Sequence, residues 1–101
     1  PNCDCHSEND RPIIPNVGML ASFDPVALDM ACADLCNQQP VLSNSVLAEN
    51  MEQHKHEHGD CDCAHGHDHF YYNHPDTNWR SCIEHAVKIG LGTDQYELIE
   101  V

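Results

Sequence analysis

Apolar residues recur along this chain with two periods, and each change of period marks an element. Leu28, Cys32, Leu35 and Cys36 stand at the i, i+4, i+7, i+8 spacing of a buried helical face. Asp24 is placed to cap that helix, Pro25 suits its first position, and Asn37 and Pro40 end it. A shorter helix follows, capped by Ser43 or Ser45, running through Val46, Leu47 and Met51 and dissolving into residues 53–59. A third carries Trp79, Cys82, Ile83, Ala86 and Val87 on one stripe, with Asp76 or Thr77 as its cap and His85 off the stripe at the surface. Gly90 fits the left-handed position after that helix, with Leu91 folding back onto its last turn. Pro12-Ile-Ile-Pro15 is a stiff extended linker, since proline fixes φ and pushes its predecessor out of the helical region. Val17–Ala21 predicts a short buried strand, with a close backbone approach or a bulge at Gly18, and Gln95–Val101 a second strand pairing beside it. The expected fold is therefore α+β, about three helices with two or more short strands, as one lobe of a larger α/β protein. Residues 1–101 form a single domain or a C-terminal fragment, and the start at Pro1 suggests a piece of something longer.

Core periodicity lapses between the second and third helices, and a different pattern takes over. Residues 53–69 form a His/Cys-rich tract in which His54, His56 and His58, then His65, His67 and His69, alternate strictly around Cys61-Asp62-Cys63. In an extended chain each triplet would present its imidazoles on one side. Gly59 and Gly66 let the chain turn, and Asp60, Asp62 and Asp68 could orient ring nitrogens. The same chemistry stands at the other end as Cys3-Asp4-Cys5-His6. Thiolates and imidazoles are the ligands that zinc, nickel and copper prefer. The candidate metal ligands are thus Cys3, Cys5, His6, Cys61, Cys63, His65, His67 and His69, with zinc the first expectation among transition metals. Two plainer readings stand beside this one: a frayed end with incidental cysteines, and a loop that binds metal weakly and without selectivity. Cys32 and Cys36 fit small core residues better than ligands. Asp29, close to the apolar stripe, calls for a hydrogen-bond partner. Phe70-Tyr71-Tyr72 is an aromatic patch that would pack the tract onto the body.

Charge narrows the partners. The 101 residues carry 17 acidic side chains against four basic ones, for a formal charge of −13. Nucleic acid and anionic membranes both need clustered Lys and Arg, so neither is expected, whereas an acidic surface attracts cations. No apolar run of about 20 residues is present to span a bilayer. Seven cysteines, an odd number, do not form a secreted disulfide framework, and Cys-x-Cys pairs are poorly placed to bridge internally. A reducing cytoplasm is the expected location, with a bridge from Cys3 or Cys5 to Cys61 or Cys63 the alternative.

Cys3-Asp-Cys-His6, the run Pro12–Asp29, His74-Pro…Trp79 and the ending Lys88–Val101 resemble the C-terminal part of the uncharacterised iron–sulfur-centre proteins, domain of unknown function 362. The resemblance implies a bacterial or archaeal parent whose upstream ferredoxin-like segment is a partner and holds any 4Fe–4S cluster. The Cys-x-x-Cys-x-x-Cys spacing for such a cluster is absent from this chain. It implies a metal or cluster-proximal role for Cys3, Cys5 and His6, and an electron-transfer partner. The first functional reading is a metal-binding C-terminal domain of a cytoplasmic iron–sulfur or redox-type protein. The second is part of a metal-dependent or redox enzyme, with Asp24, Asp29, His6 and a metal-bound water, completed by an upstream domain. The third is a nickel or zinc storage or delivery module. No nucleophile motif, phosphate loop or nucleotide fingerprint is present, and whether the chain is an enzyme stays open.

Overall fold

A computed structural model describes residues 2–58 and 68–101. Four helices follow one another: α1 (Pro25–Gln38), α2 (Val46–His58), α3 (His69–Asn73) and α4 (Trp79–Lys88). α1 is the central element, packed by α4 and by α3, while α2 lies against α3.

Local chemistry accounts for each helix end. Asp24, with extended φ −105° and ψ 108°, accepts hydrogen bonds from the N–H groups of Val26 and Ala27, both at 3.0 Å. Those are two of the donors that the first turn of a helix leaves without partners. Pro25 at the first position has no N–H to satisfy. α1 buries Val26, Ala27, Ala31 and Ala33, so small side chains form its contact surface. The stripe expected there is only half-buried: Leu28, Cys32, Leu35 and Cys36 are all intermediate. Burial, and then the neighbouring Cys32, push the Cys36 thiol above its ordinary range. Asp29 is exposed, so water meets its hydrogen-bonding need.

α2 is started by two caps. The buried Ser45 Oγ donates to the Leu42 carbonyl at 2.8 Å and accepts from the Ala48 N–H at 3.2 Å. Asp10 Oδ2 accepts from the Val46 N–H at 2.9 Å and so ties the beginning of the chain to this helix. Asn44 stands at φ 60°, the left-handed region that Asn tolerates better than most residues. Leu47 is completely buried. α2 runs on to His58, so residues 54–58 are helical and not extended. α4 is capped by Asn78, just beyond the expected Asp76 or Thr77, through the Ser81 N–H at 3.3 Å. At its end Gly90 takes φ 78°, its N–H donates to the Val87 carbonyl at 3.1 Å, and the Leu91 N–H reaches Ala86 at 3.0 Å. This is the Schellman closure that the Gly90-Leu91 pair predicts.

The α+β expectation is overturned. The described residues hold four helices, not three, and no strand. Residues 17–21 and 95–101 make no backbone ladder with each other. Instead both line a cavity of about 470 Å³ beside Ala27, Leu28 and Ala31 of α1. Two causes are visible. Gly18 sits at φ 143°, outside the geometry a strand needs. The closing segment is tied to α1: Asp24 Oδ2 accepts from the Thr93 N–H at 3.0 Å, and Tyr96 donates its hydroxyl to Asp34 at 2.6 Å. That bond to Asp34 raises the Tyr96 hydroxyl above its ordinary range, with burial adding to it. The apolar side chains that suggested strands are largely outside; Met19 and Val101 are fully exposed.

The contact between Asp24 and the closing segment leaves no room at Gly92, where a Cβ would run into Asp24 Oδ1 and stand 2.9 Å from Val26 Cγ2. Gly92→Ala is therefore expected to destabilise the chain by about 1–3 kcal/mol, read from urea midpoints. Hydrogen bonds from Ala27, Thr93 and Val26 hold the Asp24 carboxyl below its ordinary value. A carboxyl lowered on folding contributes stability that is complete above its unfolded value and disappears as pH falls through the folded one. Asp24→Asn should be less stable near neutrality and lose less stability than the parent between about pH 5 and pH 2, measured by urea unfolding across that range.

Candidate metal centre

His69 is the one predicted ligand that the described structure buries. It opens α3, a helix of five residues whose N-cap is Asp68. The Asp68 carboxylate accepts from the N–H groups of Phe70 at 3.1 Å and Tyr71 at 3.4 Å. It also accepts the Trp79 indole N–H, with Nε1 at 3.1 and 3.0 Å from its two oxygens. One carboxylate thus starts α3 and fastens it to the first residue of α4. The end of α1 holds the other side. The His69 N–H donates to Asn37 Oδ1 at 2.8 Å, and the His69 ring Nε2 lies 2.9 Å from the carbonyl of Gln39, the C-cap of α1.

This geometry fixes the imidazole. A backbone carbonyl only accepts, so the ring donates from Nε2, and in the neutral ring Nδ1 carries the lone pair. His69 is 6 % exposed, and its Nδ1 is buried without a hydrogen-bond partner among the described residues. An unsatisfied buried acceptor costs about 1–3 kcal/mol. A ring whose one nitrogen donates to a backbone carbonyl while the other presents a lone pair is the arrangement of a metal-ligating histidine.

Around this point the aromatic side chains interlock. Tyr72 is buried, its ring meets His54 edge-on at 5.2 Å, and its carbonyl accepts from Asn50 Nδ2 at 2.7 Å. Burial raises the Tyr72 hydroxyl above its ordinary range, helped by Tyr71 and Asp68. Phe70 leans on Trp79 at 5.7 Å, and the Arg80 guanidinium lies 4.5 Å from the Trp79 ring centre. A cleft of about 170 Å³ opens between α2 and α3, lined by Asn50, Gln53, His54, Tyr71, Tyr72 and Pro75.

The first cluster is arranged differently. Cys3, Cys5 and His6 are all exposed, and Cys5 donates its S–H to Cys3 Sγ at 3.1 Å. Hydrogen bonds from Cys5 lower the Cys3 thiol below its ordinary range. The His6 ring Nδ1 turns to the Glu8 backbone, 3.1 Å from its carbonyl oxygen and 3.3 Å from its nitrogen. No group of three or more His, Cys, Asp or Glu side chains stands close enough to hold a metal among the described residues. Cys61, Cys63, His65 and His67 lie outside those residues. Asn37 and Gln39, which hold His69, and Trp79, which holds its neighbour Asp68, are not among the predicted site residues. The one local signal near His69 is Asp68, a capping residue that announces the start of α3 and not the partners upstream.

Residues 1–34 match the model of a family described as a domain of unknown function, DUF362. The matched stretch holds Cys3, Cys5, His6 and the Asp24 cap, and it ends within α1. The stretches 74–79 and 88–101 lie beyond it. No curated protein and no solved structure matches the chain. No described helix is long and apolar enough to cross a membrane.

Removing the carboxylate in Asp68→Ala should free the indole of Trp79, the sole tryptophan. Its fluorescence maximum is expected to move to longer wavelength, with a loss of about 1 kcal/mol from the missing cap.

Proposed function

We propose that this chain is a transition-metal-binding domain in which His69 ligates through Nδ1 and three of Cys61, Cys63, His65 and His67 supply the remaining donors of a four-coordinate shell. The observation that carries the reading is the His69 ring, with Nε2 donated to the Gln39 carbonyl and Nδ1 buried and unpartnered among the described residues. Zinc is the proposed ion, because a mixed thiolate and imidazole shell suits its four-coordinate geometry. Its role is structural: it would close the tract onto the end of α1 and satisfy an acceptor that is otherwise a penalty. Cys3, Cys5 and His6 are not required for this shell. A broader reading, a piece of a cytoplasmic iron–sulfur or redox-type protein, rests on the sequence resemblance; the match over residues 1–34 is to a domain of unknown function. Any 4Fe–4S cluster would then be held by another segment, since this sequence lacks the cysteine spacing for one.

The test is zinc titration of the metal-free chain against a competing chelator, with thermal melts in both states. One tightly held ion is expected. His69→Phe should weaken it at least about tenfold while barely changing the metal-free melting temperature, because the variant loses one hydrogen bond and one unsatisfied acceptor together. Cys61→Ser with Cys63→Ser should lower the melting temperature only when zinc is present. Several weakly bound ions, unaffected by His69→Phe, would mean storage or delivery by the tract and would overturn the structural site.

A further inference from the structure

The first residues of the chain form a hydrogen-bonded loop and not a loose end. The His6 N–H donates to the Cys3 carbonyl at 2.9 Å, closing a turn over residues 3–6. Asn2 closes the loop from outside, its N–H on Asn9 Oδ1 at 2.9 Å and its Nδ2 on the Glu8 carbonyl at 3.1 Å. Asn9 Oδ1 also accepts from the Asp10 N–H at 3.0 Å, and the Asp10 side chain is the group that caps α2. The loop therefore stands on a helix terminus, and its geometry holds Cys3 and Cys5 with their sulfurs 3.1 Å apart, facing solvent.

We propose that Cys3 and Cys5 are a dithiol site that exchanges with small disulfides and closes to an internal Cys3–Cys5 bond. This goes beyond the metal reading and does not rest on it, because that shell uses neither residue. The juxtaposition carries the inference. Two thiols held in contact turn the second step of exchange into an intramolecular reaction, and both are open to a substrate. The turn also answers the expectation that a Cys-x-Cys pair is poorly placed to bridge, since it brings both side chains to one side. The reaction balances with the disulfide as oxidant. Cys3 sulfur, as thiolate, attacks one sulfur of the substrate disulfide, forming a mixed disulfide and releasing the first thiolate. Cys5 sulfur then attacks Cys3 sulfur, the mixed disulfide breaks, and the second thiolate leaves. The substrate gains two electrons and two protons, both drawn from the Cys3 and Cys5 thiols.

Cys82 provides a built-in comparison, since it is an exposed, free thiol on α4. The experiment treats the reduced full chain with oxidised glutathione in the presence of a chelator. Adducts at each cysteine are followed over time by intact mass and peptide mapping. The expected result is a Cys3–Cys5 bond with both glutathione thiols released, while Cys82 retains its adduct; loss of the Cys3 adduct should be about tenfold faster or more. Cys5→Ser should trap the glutathione on Cys3. The proposal is overturned if the adduct on Cys3 persists as long as that on Cys82. It is equally overturned if the bridge that forms joins Cys3 or Cys5 to any other cysteine. Zinc affinity is measured on separate samples, so a failure here and a failure of the metal site are distinguishable.

Discussion

The Asp24 carboxylate does two jobs from one position. Oδ1 satisfies two N–H groups at the start of α1, and Oδ2 holds the Thr93 N–H some seventy residues further on. A helix N-terminus needs an acceptor, and so does the chain returning after α4; a single ionised group meets both demands. Gly92 is the corollary, because the return passes so close to the carboxylate that a side chain there has no space. The path of residues 91–101 along α1 follows from this contact. So does the absence of pairing between that segment and residues 17–21.

What was legible in the sequence is what local chemistry decides. Asp24-Pro25 starts α1 and Gly90-Leu91 closes α4, as read, because a cap involves residues only a few positions apart. The strands were not legible. The apolar residues at 96, 98, 99 and 101 state a preference, but a strand exists only when a second segment supplies its hydrogen bonds. Here the competing acceptors are Asp24 and Asp34 on α1, and nothing in the local pattern announces them. α3 escaped notice for another reason: five residues cannot display a helical period, and only the Asp68 cap betrays it. The buried face of α1 was misjudged because the packing selects its alanines over its leucines.

The candidate site divides in the same way. Ligand chemistry was visible as composition, since His and Cys crowd two windows of the chain. What separates His69 from the other histidines is supplied by Asn37 and Gln39, about thirty positions upstream, and no motif links them. At the other window His6 Nδ1 turns to the Glu8 backbone, and the Cys3 and Cys5 thiols face each other.

Both chemical segments are suspended from helix termini. Asp10 accepts from the otherwise unpartnered Val46 N–H at the start of α2 and carries the loop of Cys3 and Cys5. Gln39, whose carbonyl is at the end of α1, accepts from His69. The second arrangement has an electrostatic sense. The C-terminal end of a helix bears partial negative charge, which favours positive charge placed nearby. A cation on Nδ1 would polarise the imidazole and strengthen the Nε2–H bond to the Gln39 carbonyl, while that carbonyl would make Nδ1 a better donor to the cation. The orientation of the His69 ring therefore comes from the same helix that Asp24 begins.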